Sequence, residues 1–166
     1  MKENTCCFTG HRNIPAGETE NVKAKLKEQI LALMEEGIRT FLVGGAMGFD
    51  MLAAEALVDL REREGKEFRL VSVLPFPDWR EGWPAEEYAR EEAILKNCDE
   101  FSFSGEKCDR KLYLDRDRKM VDASSVCVAW CSRRSGGTAY TVRYARQQGV
   151  PVFNTSSWDL RQLGSK

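Results

Sequence analysis

Short apolar runs, each ending in a turn residue and separated by segments of helical periodicity, recur along this chain and leave few folds open to it. Residues 5–8 stop at Thr9-Gly10, residues 40–43 at Gly44-Gly45, and residues 68–74 at Pro75. Residues 101–103, 126–130 and 150–153 read as three further strands. Between the first two runs, Val22, Leu26, Ile30 and Leu33 put one apolar stripe on a helix over residues 18–36, with Gly37 as its stop. Leu52, Ala56 and Leu60 do the same for residues 50–64. Pro84 suits the first position of a helix reaching residue 96, with Glu86 and Glu87 favourable in its first turn. Residues 111–122, heavily charged, and 138–148 complete the helical set.

Strands that are apolar throughout and joined by helical crossovers form a parallel sheet covered on both faces. The expected fold is a Rossmann-like three-layer α/β/α sandwich with a mainly parallel sheet, one domain over residues 1–166, without repeats or linkers. The most irregular stretches are 75–83 and 104–110. The first reads as a functional loop, because Trp79 and Trp83 are costly to leave exposed in a connection.

Charge narrows the choice of partner. The formal net charge is −1, with 31% charged and 42% hydrophobic residues, so a general polyanion binder, which needs many Lys and Arg to displace counterions, is disfavoured. No apolar run approaches the roughly 20 residues that span a bilayer, and residues 1–5 lack a signal-peptide core, so a cytoplasmic protein without membrane contact is expected. Cys6, Cys7, Cys127 and Cys131 sit in or beside strands as small hydrophobes, Cys98 and Cys108 are isolated, and reduced thiols are expected. With one histidine and no paired CxxC, neither a metal site nor a resident cofactor is expected.

Three glycine-bearing turns follow strands: Thr9-Gly10-His11-Arg12, Gly44-Gly45-Ala46-Met47-Gly48-Phe49-Asp50, and Ser135-Gly136-Gly137-Thr138. In a parallel sheet they share one edge, where open α/β folds bind ligands. In the third, Thr138 is placed to cap the helix, its amides face an approaching phosphate, and Arg133 and Arg134 add charge. No turn matches GxxxxGK[ST] or the dinucleotide GxGxxG pattern. His11 is a hydrogen-bond donor or general acid–base candidate, and Arg12 a phosphate or carboxylate clamp. Asp50 either caps the second helix or takes a ribose hydroxyl, Glu55 is the other acid nearby, and Phe76, Trp79 or Trp83 is the aromatic that covers a base.

These segments resemble the YpsA-like branch of the SLOG superfamily, which also holds DprA-type and Lonely Guy-type Rossmann-like domains. The resemblance is carried by Cys7-Phe8-Thr9-Gly10-His11-Arg12, by Gly44 to Asp50 with Ala53-Ala54-Glu55, by Pro75-Phe76 and Trp83, by Met120-Val121-Asp122, and by Gly136-Gly137-Thr138-Ala139-Tyr140-Thr141. Trp79 departs from the Gln expected at its position. The resemblance implies a nucleotide-ligand domain used as sensor or enzyme. On it the leading expectation is a non-catalytic binder of a small nucleotide ligand, ADP-ribose-like or NAD-derived. Gly10, His11, Arg12, Gly44, Gly45, Arg133, Gly136, Gly137 and Thr138 would surround it, with Asp50 on ribose and Trp79 over the base. Homodimers are common among such domains.

Two alternatives stand beside it. Lonely Guy-type phosphoribohydrolases carry a PGGxGTxxE motif whose Glu assists N-glycosidic cleavage. Here Thr141 stands at that position, and a hydroxyl cannot replace the carboxylate. Glu55, Asp50 or His11 would have to act as the catalytic group in a hydrolase or glycosyl transferase. A DprA-like DNA-processing role lacks a basic stripe, so nucleic acid is the weaker expectation.

Overall fold

The computed structural model describes residues 2–164; the two ends of the expected 1–166 unit lie outside them. Six strands, β1 (Thr5–Gly10), β2 (Thr40–Val43), β3 (Arg69–Leu74), β4 (Glu100–Phe103), β5 (Val126–Trp130) and β6 (Val152–Asn154), form one sheet in the order β4-β3-β2-β1-β5-β6. Every pairing is parallel. Helices α1 (Thr19–Glu35), α2 (Phe49–Glu64), α3 (Ala85–Asn97), α4 (Lys111–Asp122) and α5 (Gly137–Gln147) make the crossovers, giving the α/β Rossmann-like arrangement expected. The chain walks outward from β1 to β4, then returns to place β5 on the other side of β1.

Strand alternation sorts the core into two layers. Cys6, Phe8, Phe41, Val43 and Leu70 pack with Leu26 and Ile30 of α1 and Leu57 and Leu60 of α2. Their neighbours in sequence, Cys7, Leu42, Val71 and Cys127, pack against Met120 and Val121 of α4 and Ala145 of α5. A fully buried large apolar side chain contributes roughly 1.5–3 kcal/mol, and Phe8 and Phe41, both fully buried with ring centroids 6.1 Å apart, anchor the first layer.

Several boundaries differ from the sequence expectation, each for a local reason. β1 continues to Gly10 because its last two residues pair with Ala129 and Trp130 of β5. α2 is capped by Gly48 and not by Asp50, which lies inside the first turn. Its buried face is broader than the stripe Leu52, Ala56 and Leu60: Ala53, Ala54 and Leu57 are buried while Ala56 is only half-buried. Pro84 precedes α3 as its cap, Gly136 and not Thr138 caps α5, and β6 begins two residues later than expected. Among the described residues no helix is long and apolar enough to cross a membrane.

Candidate functional site

A cavity of about 340 Å³ opens at the carboxyl ends of β1 and β5, where the strand order reverses. The end of β1 supplies one wall with Gly10, His11 and Arg12. The start of α5 supplies Gly137 and Thr138, preceded by Arg133, and α4 contributes Tyr113, Arg116 and Asp117 over Asp50 of α2. Of the residues expected from sequence, Gly10, His11, Arg12, Asp50, Arg133, Gly137 and Thr138 therefore meet here. Gly136 adjoins as the cap of α5.

The three glycine turns share this edge but differ in what they offer. The third is open: no side chain caps α5, and a Cβ built on Gly137 meets nothing within 4 Å. The leading amides of a helix have no intrahelical partner and carry positive partial charge, so such an end attracts an anion. Arg133 stands over Gly136, its Nη2 at 3.7 Å from where a Cβ would lie.

The first two turns are locked against each other. Phe49 N–H, at the start of α2, donates to the His11 carbonyl at 3.2 Å. Gly48 has φ of 79°, and a Cβ there would fall 2.2 Å from the Arg12 carbonyl oxygen. A Cβ on Gly10 would lie 2.4 Å from the Phe49 side chain. The start of α2 is thus closed by protein backbone. Gly44 and Gly45 do not line the cavity: the Gly44 carbonyl accepts from Arg116 Nη1, and the Gly45 carbonyl accepts from Trp79 Nε1 at 2.9 Å.

His11 is buried, with its ring edge-on to Trp130 at 5.7 Å. Its Nε2 accepts from the Ser132 backbone N–H at 3.1 Å, which assigns the proton to Nδ1. Burial, with the nearby Arg133 charge, lowers its pKa to about 4. The lone pair that a general base would use is thereby committed to Ser132. Arg12 is exposed, with its guanidinium carbon 5.5 Å from the Tyr113 ring centroid.

The floor holds charges that the sequence reading did not single out. Arg116 and Asp117 are buried, with Arg116 Nε donating to Asp117 Oδ1 at 2.7 Å. The other oxygen, Asp117 Oδ2, lies 3.0 Å from Thr141 Oγ1, which also lies 2.8 Å from the Gly137 carbonyl. Burial raises the Asp117 pKa against the opposing pull of Arg116 and Thr141. Burial likewise pushes Asp50 up to about 7, opposed by Arg116 and assisted by Asp117. A signal for this floor was present: Arg116 and Asp117 precede the buried Met120 and Val121 by four residues each, so they share that helix face.

Two further expected residues stand elsewhere. Trp79 is only 7% exposed and packs with Leu74 and Phe76 behind the Gly44-Gly45 turn. Beside it Glu91 of α3 is buried, and its Oε2 has no hydrogen-bond partner among the described residues. Burial and the charge of Asp50 push Glu91 up to about 8. Glu55 is held by Arg90, Nη2 to Oε1 at 2.5 Å and Nε to Oε2 at 3.0 Å. It lines a separate cavity of about 650 Å³, on the other side of Arg12 and Asn13.

The model of the YspA SLOG family matches residues 6–151. UPF0398 protein YpsA of Bacillus subtilis is 25% identical over 147 residues, covering 84% of this chain and 81% of that protein. Among solved structures, DNA processing protein A from Helicobacter pylori superposes with a TM-score of 0.66 at 16% identity, covering 92% of this chain and 65% of that one. The Streptococcus pneumoniae protein of that name gives a TM-score of 0.63 at 17% identity, covering 92% and 50%. This chain thus spans about half to two thirds of those two chains, and the likeness shows a shared fold. With a family model aligned across both strands that frame the cavity, the chain belongs to the YspA SLOG family.

Proposed function

We propose that the crevice between β1 and β5 binds a nucleotide or nucleotide-derived phosphate ligand, ADP-ribose-like or NAD-derived, and that the chain serves as its binder or sensor. The observation that carries this reading is the polarity of one cavity: an open helix N-terminus with Arg12 and Arg133 at its mouth, and buried carboxylates at its floor. A sugar phosphate has the matching polarity, an anion at one end and hydroxyl donors at the other. The phosphate lies against the Gly137 and Thr138 amides, with Arg12 and Arg133 adding charge-assisted hydrogen bonds. Ribose hydroxyls donate to Asp50 and Asp117. His11 acts as a brace that fixes Ser132, and with it Arg133, against β1.

Thermal unfolding against nucleotides, ADP-ribose, ribose phosphates and single-stranded DNA tests this reading. A selective rise with a phosphate-bearing small molecule, lost in Arg133→Ala, supports it; a rise with DNA alone would transfer the site to nucleic acid.

A second reading, N-glycosidic cleavage, is favoured by one observation: Asp117 places a carboxylate beside Thr141, where the sequence itself has only a hydroxyl. Water would then attack the sugar carbon as its bond to the base breaks, with Asp117 stabilising the positive charge there and protonated Asp50 giving its proton to the leaving base. Recovery of free base from a bound nucleotide, abolished by Asp117→Asn, tests it. Recovery of intact ligand leaves the binder.

A further inference from the structure

The larger cavity beside Glu55 belongs to neither reading, and its chemistry differs from that of the first. Ile14, Met47 and Leu52 give it an apolar floor. Glu86 and Glu87, in the first turn of α3, stand at its side. The Glu87 Oε2 is buried and has no hydrogen-bond partner among the described residues, a costly state for a carboxylate oxygen unless a donor reaches it. The Glu55 carboxylate, by contrast, is satisfied by Arg90. Arg12 and Asn13 line both cavities, so the two are divided only by the turn after β1. That divider is rigid, since Gly48 packs under the Arg12 carbonyl and Phe49 N–H holds the His11 carbonyl.

Resting on the phosphate reading of the first cavity, we infer that the second cavity is the far half of the same site and takes an amino-bearing heterocyclic base. The base lies on Ile14 and Met47 and donates its exocyclic amine to Glu87, while the phosphate-linked sugar at the other end reaches the α5 amides across Arg12. An apolar floor suits a flat ring, and a buried acceptor suits an amine; inorganic phosphate or a lone sugar phosphate uses neither. The ligand is accordingly two-headed, a base-bearing nucleoside diphosphate carrying a second sugar, and a free pentose phosphate is only its anionic half.

Isothermal titration of ADP-ribose and of ribose 5-phosphate into the full chain and its variants tests this. ADP-ribose should bind at least about tenfold more tightly than ribose 5-phosphate, as one good buried hydrogen bond allows. Glu87→Met, which removes the acceptor, and Ile14→Asp, which charges the floor, should each collapse that ratio towards one. Equal binding of the two ligands, or a ratio untouched by both variants, overturns the inference. ADP-ribose binding that ignores Arg133→Ala sinks the phosphate reading itself, whereas a dependence on Arg133 with no dependence on Glu87 or Ile14 sinks only this extension.

Discussion

His11 Nε2 and the Ser132 backbone N–H, 3.1 Å apart, tie the turn after β1 to the turn after β5 across the point where the strand order reverses. The two strands carry opposite walls of the cavity, and this bond, together with the His11 backbone N–H donating to the Trp130 carbonyl at 3.4 Å, holds the spacing at which Arg12 and Arg133 face a ligand. It requires a neutral imidazole, and burial supplies one by holding the pKa at about 4. The His11 resonance in a proton–nitrogen NMR titration should therefore still be neutral at pH 5.5. The folded value lies below the unfolded value of 6.5, so this contribution to stability is complete above pH 6.5 and is lost as pH falls towards 4. A midpoint near 6.5 would mean that the brace is absent in solution.

Buried carboxyls produce the opposite slope. Asp50 and Glu91 rise from 3.8 and 4.5 to about 7 and about 8 respectively. Their folded values exceed their unfolded ones, so the stability they contribute is full below about pH 4 and is lost as pH rises through 7 and 8. Melting temperature should fall between about pH 4 and 8 and level off above that, and Glu91→Gln, which cannot ionise, should flatten much of that fall. At pH 9 the variant should be the more stable protein, by on the order of a few kcal/mol. A melting curve whose pH dependence is the same in both proteins would show that Glu91 does not titrate in this range.

Gly48 is the steric keystone of the two locked turns. A Cβ there would meet the Arg12 carbonyl at 2.2 Å, from a backbone with φ of 79°. Gly48→Ala should cost roughly 2–4 kcal/mol in urea unfolding, from strain and overpacking together. Gly137→Ala, at a position open to solvent, should change stability little. Equal stability of the two variants would contradict the interlocked arrangement.

Much of the fold was legible because alternation and helical period act locally. The strand over residues 40–43 and the helix over 111–122 coincide with β2 and α4 residue for residue. What failed were assignments that depend on partners distant in sequence. Asp50 reads as a cap because it is the first acidic residue after a glycine turn, yet the close approach of β1 makes Gly48 the cap. Trp79 reads as a base platform because it sits in a loop, yet its indole is spent on the Gly45 carbonyl. The spacing of Arg116 and Asp117 to Met120 and Val121 puts them on one helix face, but that this face lies under the cavity depends on the return of the chain from β4 to β5. Neither sequence spacing nor composition encodes that return.

Arg133 is the side chain that most directly separates an anion site from a plain turn. Replacing it by Ala should weaken binding of a phosphate-bearing ligand by about 1.5–3 kcal/mol, the range for a hydrogen bond to a charged group. Fold and melting temperature without ligand should change little, because Arg133 is exposed. The binding should also weaken with salt, as expected for a site at a solvent-facing mouth. Salt-independent binding unaffected by Arg133→Ala would place the ligand elsewhere.

The decisive comparison is the ligand-dependent melting shift of the unaltered protein against Gly137→Asp. An Asp in the first turn of α5 is favourable to the helix itself, and the position has room for it, so the variant should fold as well as the parent. Its carboxylate would occupy the end of the helix where the phosphate is placed. With ADP-ribose at about 100 times its dissociation constant, the unaltered protein should gain roughly 2.7 kcal/mol, and Gly137→Asp should gain nothing. The same shift in both proteins would show that the open end of α5 is not the ligand's phosphate site.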